Sequence, residues 1–180
     1  MAPARTPVIR EDATEQAFLA LIRTTGLLHR VMLPYFARFG VSGAHWGVLI
    51  TLHRAAELGM PRLRLTDLSA RLLIRPPSVT GVVDRLQGMG LVRRDPSTVD
   101  QRSKTVGLTP RGQGLVRRIL KGHGRQVAKV MRGLRVAEQR RLRGLLGRLG
   151  GHLEALARKG GFVPIDMKLN GPIERTQEPT

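Results

Sequence analysis

The stretch from Pro61 to Thr109 constrains the chain more than any other, because its signals change from extended to helical and back within a short span. Pro61 to Leu65 fits a short strand. Thr66 is a good N-cap for a short helix reaching Leu73, with Leu68 and Leu72 on one face. Arg75-Pro76-Pro77 interrupts, and proline suits the first turn of a new helix. Spacing predicts that helix over Pro77 to Met89, with Val79, Val82, Val83 and Leu86 on one side and Gly90 ending it. Leu91 to Asp95 and Ser103 to Leu108 read as strands, joined by the polar, basic segment Pro96 to Arg102. Two short helices with a tight break, pinned from the side by a hairpin, make a winged helix-turn-helix. That arrangement suits DNA, since a helix fits the major groove while its predecessor crosses the backbone.

The flanks are helical. Met1 to Asp12 holds two prolines and no periodicity, as expected of a flexible arm. From Ala13, Phe18, Ile22, Leu27, Leu28, Val31 and Met32 recur near helical spacing, and Pro34 is expected to kink or end that helix. Ser42 follows a break as an N-cap candidate for a second helix from Gly43 to about Leu58, with Gly59 as its stop. Thr109-Pro110 opens a long helix to about Met131. A last helix over Ala137 to Lys159 lines up Leu142, Leu145, Leu146, Leu149, Leu153 and Leu156. The chain thus reads as mostly α with a small β-wing. It divides into an arm (1–12), N-terminal helices (13–60), a winged domain (61–109), C-terminal helices (110–159) and a tail (160–180).

Composition narrows the partners. Lys and Arg number 31 against 13 acids, a net charge of +18 with pI near 11.9. A polyanion is the simplest partner for such a chain, because neutralising phosphates releases counterions. The alternative is a solvated arginine-rich surface. Hydrophobic residues at 41% suffice for a core, but aromatics at 3% leave no base-stacking platform. The absence of cysteine excludes disulfides, thiolate redox sensing and cysteine-ligated zinc. No apolar run reaches the length of a membrane span, so a cytoplasmic protein is expected. His29, His45, His53, His123 and His152 never pair at helical metal-site spacing, so no metal is expected. Neither a nucleophile elbow nor a phosphate-binding glycine loop is present, which argues against an enzyme, and no cofactor is implied.

Helical arithmetic aims Pro77, Gly81, Asp84 and Gly88 outward, with Ser78 and Arg85 on one flank and Thr80 and Gln87 on the other. Each glycine costs a helix interior about 1 kcal/mol, and small residues there would let the helix approach the groove floor. Arg75 stands just ahead of this helix, while Arg93, Arg94, Arg102 and Lys104 place positive charge on the hairpin. Asp84 faces a region meant for phosphates, so it is expected to pair with Arg85 or a wing arginine, or to accept from a cytosine amine.

From Thr66 to Gly112 the chain resembles the MarR family of bacterial transcription regulators. The resemblance rests on Leu65-Thr66-Asp67-Leu68, Asp84-Arg85-Leu86, Gly90-Leu91-Val92, the Asp100-Gln101-Arg102 wing and Leu108-Thr109-Pro110-Arg111-Gly112, in that order. It implies a homodimer joined through its terminal helices, double-stranded DNA as partner and a pseudo-palindromic operator. It implies that Arg102 enters the minor groove, that Asp100 supports the wing, and that Ser78, Thr80 and Arg85 contact groove or phosphates. Where many members carry arginine or another polar residue, this chain has Gly81, so specificity would lean on neighbours or DNA shape. The resemblance also implies a repressor released by a small aromatic acid or phenol. His29, Tyr35, Trp46 and His53 are the candidates to line such a pocket, although a core role suits Trp46 better than a ligand contact. The other function considered is a sequence-tolerant architectural DNA-binding protein, because the final helices are very basic.

Overall fold

A computed structural model describes residues 12–74, 76–96 and 104–158. Expectations for residues 1–11, Arg75, residues 97–103 and the tail from 159 lie outside these described residues. The chain divides into two compact units, one up to Arg132 and one from Gly133.

In the first unit α1 spans Ala13–Ala37, with the Asp12 carboxylate accepting from the Glu15 N–H at 2.9 Å as its cap. Pro34 does not end it; the helix continues to Ala37. Proline removes one hydrogen bond, but the next two residues, Tyr35 and Phe36, are buried in the core and hold the last turn in place. Helix α2, Gly43–Glu57, opens with a reciprocal cap. Ser42 Oγ accepts from the His45 N–H, and His45 Nδ1 accepts from the Ser42 N–H, so histidine fills the part usually taken by Glu or Gln. Gly59, at φ +81°, turns the chain out of it. Val48 and Leu49 on α2 are fully buried, and α2 packs against α1, α4 and α5.

Strand β1, Arg62–Arg64, runs directly into α3, Leu65–Leu72. Thr66 is therefore not the N-cap; Arg64 occupies that place with no side-chain cap bond. The register that buries Leu63 and Leu68 leaves no residue between strand and helix, so core packing sets the start. Helix α4 spans Pro76–Gly88, one residue earlier than the spacing predicts at both ends. Strands β2 (Val92–Pro96) and β3 (Lys104–Leu108) form the hairpin, and β1 joins it in a three-stranded antiparallel sheet of order β1-β3-β2, with Leu63 and Arg94 both in register with Val106. One core unites α2, α3, α4, the sheet and α5 through Leu49, Leu52, Leu68, Val83, Leu86, Val106 and Ile119.

Helix α5, Pro110–Met131, is joined closely to the hairpin. Thr109 Oγ1 accepts from the Gly112 N–H and donates to the Gly90 carbonyl at 2.7 Å, while the Thr109 N–H donates to the Leu91 carbonyl. A Cβ on Gly112 would stand 2.0 Å from the Leu91 carbonyl oxygen, so only glycine fits. In the second unit α6 spans Val136–Arg158; the Glu138 carboxylate accepts the Arg135 backbone N–H at 2.7 Å and its guanidinium at 2.8 Å. This pair supplies the start that a serine or threonine cap would otherwise give.

Between α3 and α4, Leu73 adopts the left-handed conformation at φ +55° and is 81% exposed. The Ser69 hydroxyl donates to the Ile74 carbonyl and holds that turn. Glycine tolerates this conformation freely, so Leu73→Gly should stabilise the protein by about 0.5–1 kcal/mol in urea denaturation. Gly112→Ala should instead cost about 3 kcal/mol or more, because backbone must move; an unaltered midpoint would refute the close contact.

Candidate nucleic-acid interface

Helix α4 buries Val79, Val83 and Leu86 completely and half-buries Val82. That anchoring leaves Pro77, Ser78, Asp84, Arg85, Gln87 and Gly88 exposed, with Thr80 and Gly81 half-buried at the margin. Arg85 folds back along the helix, its Nε donating to the Gly81 carbonyl at 3.2 Å. A Cβ on Gly81 would lie 3.8 Å from Arg85 Nη2. The guanidinium thus lies over the small residue, and positive charge stands beside Gly81 although Gly81 carries none.

Asp84 pairs with Arg94 of β2, as the sequence led us to expect of a wing arginine. Gln87 accepts a longer bond from the same Arg94 nitrogen at 3.5 Å. Arg94 is thereby turned toward α4 and largely buried, with its Nε lacking a partner among the described residues. It ties the hairpin to the helix. Asp95, which sequence reasoning left unassigned, pairs with Arg93 at 3.1 Å and Arg62 at 3.4 Å, linking β2 to the short strand β1. Lys104 is exposed at the loop end of the hairpin, opposite Pro96. Arg75, Asp100 and Arg102 lie outside the described residues.

The four candidates for a ligand pocket take up different environments. Tyr35 and Trp46 are buried; the Tyr35 hydroxyl donates to the Ile119 carbonyl at 2.6 Å, and Trp46 stacks on Phe36 with ring centroids 5.7 Å apart. His29 lies exposed beside Gly43, and His53 pairs with Glu57 at 3.3 Å. The aromatic cluster contains instead His123 of α5, 5.3 Å from Trp46. A single histidine in a basic helix gave no sequence signal of that position. Burial, with Arg54 nearby, pushes the His123 imidazole below its ordinary value, and burial with Arg85 does the same to His45. Burial raises the Tyr35 hydroxyl, opposed by Arg38 and Arg125. A recess elsewhere is lined by Phe39, Met89, Leu91, Arg111, Leu115 and Arg118. Among the described residues no cluster of His, Asp and Glu could hold a metal, and no helix is long and apolar enough to cross a membrane.

A helix anchored by one apolar face, open on its polar face and flanked by an arginine-bearing hairpin defines a winged helix-turn-helix. A MarR family sequence model matches residues 39–103. The chain is 30% identical over 134 residues to the transcriptional regulator PecS of Dickeya dadantii, covering 74% of this chain and 79% of PecS. Among solved structures, the fold is shared with an Escherichia coli MarR mutant complexed with operator DNA, at TM-score 0.69 and 19% identity over 80% of this chain and 99% of that one. It is shared also with Bordetella bronchiseptica BpsR, in a structure concerned with regulation of DNA binding by 6-hydroxynicotinic acid, at TM-score 0.67 and 24% identity over 76% and 99%. The chain belongs to the MarR family of DNA-binding transcription regulators.

The Asp84–Arg94 pair is partly solvated, since the Asp84 side chain is 54% exposed. A double-mutant cycle of Asp84→Ala and Arg94→Ala should therefore give a coupling of only about 0.5–1 kcal/mol in stability; additive losses would show that the pair holds nothing. The depressed histidines fix a pH slope. Below their ordinary value of 6.5 the unfolded chain takes up protons that the folded chain refuses. Stability should thus fall as pH drops through that value, less steeply in His123→Gln. A variant with the parental slope would remove His123 as a contributor.

Proposed function

We propose that the chain is a homodimeric repressor that reads a pseudo-palindromic operator with α4 and its wing, and that a small aromatic acid or phenol releases it. The observation that carries the reading is α4, whose apolar face is held by the core through Val79, Val83 and Leu86 while Ser78 and Arg85 stay open to solvent. In this reading Ser78, Thr80, Gly81 and Arg85 meet the major groove and its phosphates, and Arg75 meets the backbone ahead of them. Lys104 and Arg102 act from the hairpin, with Arg102 in the minor groove and Asp100 supporting the wing. Arg94 belongs to this set as the positioning residue that keeps the wing on α4 through Asp84.

Residues 61–109 form the DNA-reading domain, and 13–60 and 110–159 provide the dimer helices. Exposed apolar side chains support that division. Phe18, Leu19, Ile22, Leu28 and Val31 on α1 are between 45% and 56% exposed, and α6 offers Leu145, Leu146, Leu149, Leu153 and Leu156 at 39–46%. Such stripes are the signature of a helix awaiting a partner. A dimer seated across a promoter excludes polymerase by occupancy, hence repression. The structural relative BpsR, whose DNA binding is regulated by 6-hydroxynicotinic acid, supports the effector class. A DNA-binding regulator of this kind works in the cytoplasm.

Selection from random duplexes should return a two-fold-symmetric site bound about a thousandfold more tightly than scrambled DNA. Arg102→Ala should weaken that site while sedimentation still reports a dimer, and Phe18→Glu with Ile22→Glu should yield monomers. Equal affinity for selected and scrambled duplexes overturns the operator reading.

A further inference from the structure

Helix α5 carries six cations between Pro110 and Met131 and no carboxylate. The helices on either side in sequence differ: α4 has Asp84 within it, and α6 has Glu138 and Glu154. Five of the six, Arg111, Arg118, Lys121, Arg125 and Lys129, recur at three-, four- and seven-residue intervals. With Arg132, the C-cap, they fall within an arc of roughly 80° on a 3.6-residue helix. Gly112, Leu115, Val116 and Ile119 face the core from another side of the helix. All of the ridge residues are exposed, and among the described residues no ion pair involves any of them.

Such a ridge is unfavourable in isolation. Lys121–Arg125 and Arg125–Lys129 are like charges at i, i+4, and each pair destabilises the free helix. Arg111 adds a cation in the first turn, where the helix dipole prefers an anion. The field reaches beyond α5, since Arg125 acts on the Tyr35 hydroxyl of α1. A polyanion would relieve all of these repulsions together.

The ridge stands on a different helix from the α4 surface, and both helices pack on α2. It adjoins the winged part at one end, where Arg111 and Arg118 share a recess with Met89 and Leu91 at the base of the hairpin. From Arg111 to Arg132 it extends about 32 Å, close to one turn of duplex DNA at about 34 Å.

We propose that the exposed cationic ridge of α5 is a second, sequence-tolerant DNA-binding surface that takes backbone phosphates of the duplex flanking the operator. The proposal rests on the DNA-reading role of α4 and adds an anchoring surface to it. Flanking DNA then contributes affinity and salt dependence, whatever its sequence.

The test uses the full-length protein and a triple variant, Lys121→Gln, Arg125→Gln and Lys129→Gln. Fluorescence anisotropy compares the selected site as a minimal duplex with the same site carrying arbitrary flanks, across a salt series. For the parent, flanks should tighten binding about tenfold or more and steepen the log K against log salt slope by about 2–3, near 0.9 per phosphate. The triple variant should lose that increment and keep its affinity for the minimal duplex within about twofold. It should melt no lower than the parent, because repulsion has been removed. If it does melt lower, Arg118→Gln with Arg125→Gln serves in its place. An undiminished flank effect in the variant overturns the proposal, as does an equal loss on both duplexes. Capture of a second labelled duplex by immobilised complex, without any flank effect, overturns it in favour of bridging. Failure of α4 to read an operator would appear separately, as equal parental affinity for selected and scrambled minimal sites.

Discussion

Burial of α2 is the constraint on which the rest of the first unit depends. Val48, Leu49 and Leu52 are removed from water, and α1, α4 and α5 all pack against the helix that carries them. Each fully buried aliphatic side chain of this kind contributes about 1.5–3 kcal/mol before entropy is counted. The same burial decides what α4 can do. With Val79, Val83 and Leu86 fixed in that core, the remaining faces of α4 have nowhere to go but solvent or a ligand. The functional surface is what packing leaves over.

Local signals in the sequence were enough for most of the fold. Ser42 and Thr109 mark helix starts because a side-chain oxygen can satisfy a free backbone N–H, and Gly59 and Gly90 mark exits because they adopt positive φ. Thr66 misled for a complementary reason. A cap signal is worth about 1 kcal/mol, less than seating both Leu63 and Leu68, so the helix begins at Leu65. Of the two outcomes expected at Pro34, the helix does not end there, since burial of Tyr35 and Phe36 outweighs one missing hydrogen bond.

The candidate site was legible in part. Helical periodicity correctly separated the buried and open sides of α4 and pointed to a partner for Asp84. It could not say that Arg94 would be the partner, because the pairing depends on how far the hairpin leans toward the helix. The junction of Asp95 with Arg93 and Arg62 was invisible, since it requires the register of three strands. His123 was missed because its neighbours Trp46 and Phe36 are brought to it by tertiary packing alone.

The contact of Gly112 with the Leu91 carbonyl has a mechanical consequence. No side chain cushions it, and Thr109 fastens both of its sides through Gly90 and Gly112. The hairpin root and α5 therefore behave as a stiff lever with its fulcrum at that glycine. A tilt of about 5° there displaces the far end of a helix of this length by about 3 Å. Leverage runs both ways, so a load applied near Met131 is delivered to the strands that hold the wing.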